Sequence, residues 1–149
     1  MTDGRSGDLL VAAIGWLESD SEVTQRLGDD GAVLEVDKII GEDPNEADPR
    51  LVVDVEERTS DRNNKQEDKQ FNLIVMADAT DDYVRGTGTN AVRRLLDAAK
   101  EVLTTHPGDR WVARGVEEEV NEGYVENIKR YRRMARIRIN RNDLRPTYG

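Results

Sequence analysis

Gln70-Phe71-Asn72-Leu73-Ile74-Val75-Met76-Ala77 reads as a β-strand. In an extended strand successive side chains point to opposite faces. Phe71, Leu73 and Val75 then form one apolar face that belongs to a core. Asn72, Ile74 and Met76 form the other. That second face is too apolar for water, so a helix or another subunit covers part of it.

Similar alternation flanks this strand. Leu51, Val53 and Val55 alternate with Asp54, Glu56 and Arg58 over 51–58. Over 133–141, Ala135, Ile137 and Ile139 point inward while Arg136, Arg138 and Asn140 point outward. Residues 32–40 are rich in branched side chains and read as another strand. Val112, Val116 and Val120 support a strand over 110–120, weakened by Gly115. Residues 124–132 fit either a helical turn or the beginning of the last strand.

Helices are read from the 3.6-residue period. Residues 8–18 place Leu10, Ala13, Ile14 and Leu17 on one stripe. Asp20 or Ser21 caps a short helix over 20–27 that Gly28 ends. Residues 89–105 are the clearest helix, with Val92, Leu95, Leu96, Ala99, Val102 and Leu103 facing inward. Thr89 or Asn90 caps it, and Arg93 and Asp97 form a surface pair. Gly41–Pro49, 59–69 and 78–88 are loops. The order α(α)βββαββ, with consecutive antiparallel strands, predicts an α+β fold. Four to five strands carry one long and one or two shorter helices on one face. The 149 residues fit a single domain with a flexible 1–7, a long mobile loop at 59–69 and a tail at 142–149.

Composition narrows function. The chain has no cysteine and one histidine, His106. Disulfides, thiolate metal sites, cysteine nucleophiles and histidine-rich zinc centres are excluded. No apolar run reaches membrane-spanning length, and the first residues do not read as a signal peptide. The net charge is −9, and the basic residues are 17 Arg against 5 Lys. This acid-rich, lysine-poor balance resembles proteins of extremely salty cytoplasms, where screening makes self-repulsion tolerable. Residues 1–128 carry a net −16 and residues 129–149 a net +7. Such asymmetry marks a nucleic-acid tail, a docking surface, or a strand paired with its own acidic sheet.

The constellations that resemble chemistry are incomplete. Gly86-Thr87-Gly88-Thr89 precedes a helix, but no phosphate-loop lysine follows. Asp43, Asn45 and Asp48 lack the glycine and terminal glutamate of a calcium loop. Glu117, Glu118, Glu119 and Glu122 have no nucleophile or oxyanion donor beside them, and strand alternation puts Glu117 and Glu119 on one side. His106 ends a helix, where a cation suits the helix dipole. No enzyme, metal or cofactor is expected.

The whole arrangement does resemble a family. Leu9-Leu10 through Ile14, Trp16 and Leu17 opens it, and Pro49-Arg50-Leu51-Val52-Val53-Asp54-Val55 follows the proline-bearing loop. Asn90-Ala91-Val92-Arg93-Arg94-Leu95-Leu96 then begins the long helix, and Arg133-Met134-Ala135-Arg136-Ile137-Arg138-Ile139 closes the pattern. In order, length and pattern, residues 8–140 resemble the tail completion or tail terminator proteins of long-tailed viruses. The resemblance implies an α+β subunit of a six-membered ring. The ring caps the tail tube and joins it to the head-tail connector, and DNA passes through without specific binding. The loop at 59–69 and the acidic excess depart from the family and, with the salt signature, point to a virus of a halophilic archaeon. The candidate subunit and partner contacts are Arg62, Lys65 and Lys69 in the loop, and Arg132, Arg136 and Arg138 near the last strand. The alternatives are a neighbouring head-closure or adaptor ring protein, a DNA-binding module using the basic segment, and a small enzyme.

Overall fold

A computed structural model describes residues 4–36, 47–58, 70–88, 90–105 and 111–141. Helix α1 spans Gly4–Ser19, beginning four residues before the expected start. Its Leu9, Ala13 and Leu17 recur every four residues and are fully buried. Helix α2, Ser21–Leu27, starts where the Asp20 side chain accepts the Val23 amide at 3.0 Å. It ends at Gly28, whose φ of 70° is the left-handed cap that glycine adopts without strain.

Strand β1 is Ala32–Glu35, β2 is Arg50–Arg58 and β3 is Gln70–Ala79. The stretch 37–40, expected to extend β1, lies outside the described residues, as does the loop 59–69. Helix α3, Asp81–Thr87, occupies most of what reads as a loop. Its signals are in the sequence. Thr80 caps it by accepting the Tyr83 amide, Asp81 and Asp82 sit in its first turn, and Gly88 ends it. Helix α4, Ala91–Thr105, buries Leu95, Leu96, Val102 and Leu103. Each such side chain contributes about 1.5–3 kcal/mol of transfer free energy.

Strand β4 runs Trp111–Val125 and β5 runs Arg130–Arg141, joined by a turn over 126–129. Both are longer than their apolar alternation indicates, because exposed charged positions continue the pairing.

The fold is α+β. The five-stranded sheet has the order β1-β2-β3-β5-β4. All neighbours are antiparallel except β1 and β2, which run parallel with Ala32 opposite Arg50. A parallel neighbour requires a crossover of about a dozen residues, and the proline-bearing segment between Glu35 and Arg50 provides that length. Alternation shows which face a residue takes but not which way its strand runs, so the expectation of antiparallel order fails at this one pair.

Helix α1 packs on β1 and β2, α4 packs on β3, β5 and β4, and α2 packs against both helices. The inner face of the sheet is built in rows. Val53, Val75 and Ala135 stand in register, followed by Val55, Leu73 and Ile137. Phe71 meets Trp111 edge-on at 5.7 Å, and the Arg141 guanidinium lies 5.4 Å from the Trp111 ring centre.

Candidate assembly surfaces

The outer sheet face, opposite the helices, is also ordered in rows. Val52, Met76, Met134 and Val120 stand side by side across four strands. One neighbouring row is Asp54, Ile74, Arg136 and Glu118; the next is Glu56, Asn72, Arg138 and Gly115. Val52 and Ile74 are buried, whereas Met76, Met134 and Val120 are half-buried. An apolar band thus crosses this face between charged bands.

On the other side of that band lies a buried ionic cluster. Arg50 Nε and Nη2 donate to Asp78 Oδ1 and Oδ2 at 2.8 and 3.1 Å. Arg130 reaches Asp78 Oδ1 at 3.2 Å and donates to the Ala47 carbonyl at 2.9 Å. Arg132 reaches Asp78 Oδ2 at 3.3 Å. Asp48, 3.7 Å from Arg130, accepts the Thr80 amide at 3.0 Å and the Thr80 hydroxyl. Burial, and after it the charge of Arg50, pulls the Arg130 guanidinium below its ordinary value, while Asp78 and Asp48 oppose the shift. The cluster fastens the end of the crossover to β2, β3 and β5.

Most arginines of the last strand are engaged within their own sheet. Arg136 pairs with Glu118, its register neighbour on β4. Arg133 lies 3.8 Å from Glu119, which also holds Lys100 of α4 at 2.5 Å. Among the described residues Arg138 makes no ion pair. The Nε atoms of Arg132 and Arg136 and Oδ1 of Asn72 are buried there without a hydrogen-bond partner. Of the candidate contacts, Arg132, Arg136 and Arg138 share the outer face; Arg62, Lys65 and Lys69 lie outside the described residues.

Several expected pairings shift. Register breaks at Ala113/Gly115, Val116/Glu118 and Asn121/Gly123 put Val112 and Val120 on the outer face and Val116 on the helix side. Glu118 and Glu119 serve opposite faces, as alternation requires, whereas Glu117, expected to share a side with Glu119, falls in the bulge between Val116 and Glu118. Asp97 pairs with Lys100 at 3.2 Å, not with Arg93. Gly86 and Thr87 end α3 and do not form a loop before α4. Asp48 is taken up by Thr80 and Arg130, while Asp43, Asn45, Thr89 and His106 lie outside the described residues. Among the described residues no three His, Cys, Asp or Glu side chains form a metal-binding group, and no helix is long and apolar enough to cross a membrane.

On the helix side, a cleft of about 540 Å³ runs between α2 and α4. Asp20, Glu22, Asp97 and Glu101 line it, together with Arg26, Arg94 and the apolar Ala98 and Val102. A second recess shares Arg26 and Arg94 and continues past Tyr83, Thr87 and Ala91. The two arginines therefore mark the end of the cleft nearest the start of α4.

No protein-family model matches the sequence, and no curated protein does. Among solved structures, a chain from the virion of a native gene transfer agent particle is similar in fold. The likeness covers 89% of this chain and 93% of that one, at 13% identity and a TM-score of 0.59. At this identity the two chains share an α+β architecture over nearly their whole lengths.

Proposed function

We propose that this chain is a structural protein of a virion. More specifically, it is a single-domain ring subunit that completes the tail and joins it to the head-tail connector. The observation that carries this reading is the near full-length likeness in fold to a chain of a gene transfer agent virion. The order and spacing of elements over residues 8–140 support it independently. Subunits of a closed ring need two different surfaces that meet head to tail. The outer sheet face and the helix-side cleft are two such dissimilar surfaces.

In this role Arg138 and the loop cations Arg62, Lys65 and Lys69 contact the tail-tube or connector partner, with Arg136 beside them. Arg132, held by Asp78, acts inside the subunit. A DNA-binding role for the basic strand is disfavoured, because Asp78, Glu118 and Glu119 engage its arginines. The acid-rich surface suits a halophilic host and a channel from which DNA is repelled.

Negative-stain imaging of the purified protein, with antibody labelling of virions, tests the assignment. Rings with a central channel and label at the neck are the expected result. A protein that stays monomeric and is absent from virions overturns it.

A further inference from the structure

Leu9 through Leu17 of α1 is an unbroken apolar run. A helix that is apolar on all sides belongs inside a larger body. Here Leu9, Ala13 and Leu17 fill the core, yet the opposite face is open. Val11 is 70% exposed, Gly15 is exposed beside it and Ala12 is half-buried. Asp8 and Glu18 stand exposed at the two ends of this face, and among the described residues neither has an ion-pair partner.

A second open strip runs along the helix side of β4. A helix about 10 Å across covers roughly two strands at their spacing of about 4.8 Å. With α1 on β1 and β2 and α4 centred on β3 and β5, the fifth strand is left partly bare. The register shows this row by row. Ile137 and Ala135 of β5 are fully buried, whereas their β4 partners Val116 and Glu119 are exposed, as is Tyr124 opposite Tyr131. Val116 at 43% and Tyr124 at 41% are, with Val11, the large apolar side chains left exposed among the described residues. The free charge beside the strip is a cation. Arg93 lies two helical turns before Lys100, on the α4 face from which Lys100 reaches Glu119. It is exposed and has no ion-pair partner among the described residues. Helix α4 begins beside α3, whose Asp81 accepts the Tyr131 hydroxyl, so Arg93 lies toward the Tyr124 end of the strip.

We propose that α1 of one copy lies along the helix side of β4 in a second copy, as the third helix of its layer. Val11 covers Tyr124, and Asp8, one turn before it, meets Arg93. Gly15, having no side chain, passes over the Lys100–Glu119 pair and lets α1 continue toward Val116. The two surfaces sit at opposite edges of the sheet. The contact is therefore heterologous, and its repetition closes a ring or extends a fibre. The inference rests on the ring-subunit reading and names the contact that builds the ring. It leaves the outer sheet face free for the tail-tube or connector partner.

Two single variants test it. Val11→Asp spoils the α1 face and leaves the strip; Tyr124→Asp spoils the strip and leaves α1. Self-association is measured by analytical ultracentrifugation at a salt concentration where circular dichroism shows each protein folded. Each variant alone should associate about tenfold or more weakly than wild type, because the contact would bury an unpaired carboxylate. Mixed one to one, the variants retain one native contact, between α1 of the Tyr124→Asp copy and the strip of the Val11→Asp copy. The mixture should therefore form dimers and nothing larger. If Tyr124→Asp does not fold, Arg93→Glu takes its place. A wild type that assembles while either variant assembles equally well overturns the contact and leaves the ring reading standing. A mixture that stays monomeric does the same. A wild type that is monomeric alone but present in virions also overturns the contact; loss of Val11→Asp from those virions then gives the α1 face to a different virion protein. A wild type that is monomeric and absent from virions overturns both readings.

Discussion

Arg50 and Asp78 face each other as register partners on β2 and β3. Their Nε–Oδ1 distance is 2.8 Å, and both side chains are almost wholly buried. Arg130 and Arg132 converge on the same carboxylate. Removing one member of a buried ion pair leaves the others uncompensated, which costs about 3–5 kcal/mol. Asp78→Ala should lower unfolding free energy by about that amount in urea titrations. A loss below about 1 kcal/mol would mean that water takes the place of the carboxylate and that the cluster is not a structural anchor.

Arg136 and Glu118 form a pair with very different energetics. The Glu118 side chain is 46% exposed, so the pair contributes no more than about 1 kcal/mol. Arg136→Glu with Arg138→Glu should therefore leave the fold intact and shift the melting temperature by only a few degrees. On the proposed ring-subunit reading, tail joining should nevertheless fail in an assembly assay, because reversed charges would meet the partner. Normal joining would remove these arginines from the interface.

Lys100 gives a pH dependence. Burial lowers its affinity for a proton, but the hydrogen bonds and charges of Glu119 and Asp97 outweigh burial and raise its pKa above the ordinary 10.5. A pKa raised by folding contributes stability that is fully present below the unfolded value and is lost as pH rises through the folded value. Asp81, with burial secondary, raises the Tyr131 phenol above its ordinary 10.0, and the sign is the same. Thermal stability should therefore fall above about pH 10. Lys100→Met should make that fall shallower, as followed by circular dichroism between pH 8 and pH 11.

Salt should act in the opposite sense to its usual effect on an ion pair. The net −16 over residues 1–128 repels itself over a range that lengthens from about 3 Å at 1 M salt to about 10 Å at 0.1 M. Melting temperature should rise with potassium chloride. A salt-independent melting temperature would remove the halophilic assignment.

Much of the architecture is legible from periodicity. Phe71, Leu73 and Val75 alternate on one face and are fully buried, and Leu95, Leu96, Val102 and Leu103 follow the helical period and pack above the sheet. The Asp20 cap and the Gly28 terminator are local features and appear where local reasoning places them. Helix α3 was legible as well, in Thr80, Asp81-Asp82 and Gly88, but its seven residues bury none of their side chains and so give no apolar period.

The α+β class, the inward faces of the central strands, the cap and end of α2, and the absence of cysteine were all legible in the amino-acid sequence. These depend on contacts within a few residues or on composition. That β1 runs parallel to β2 is a property of the folded chain, since direction depends on the path of a crossover. The bulges in β4, which put Val116 on the face opposite Val112 and Val120, are likewise a tertiary feature. The Asp78 cluster joins residues 28, 52 and 54 positions away in the chain. No local pattern encodes such a meeting; the sheet register creates it, and low-dielectric burial then makes it energetically decisive.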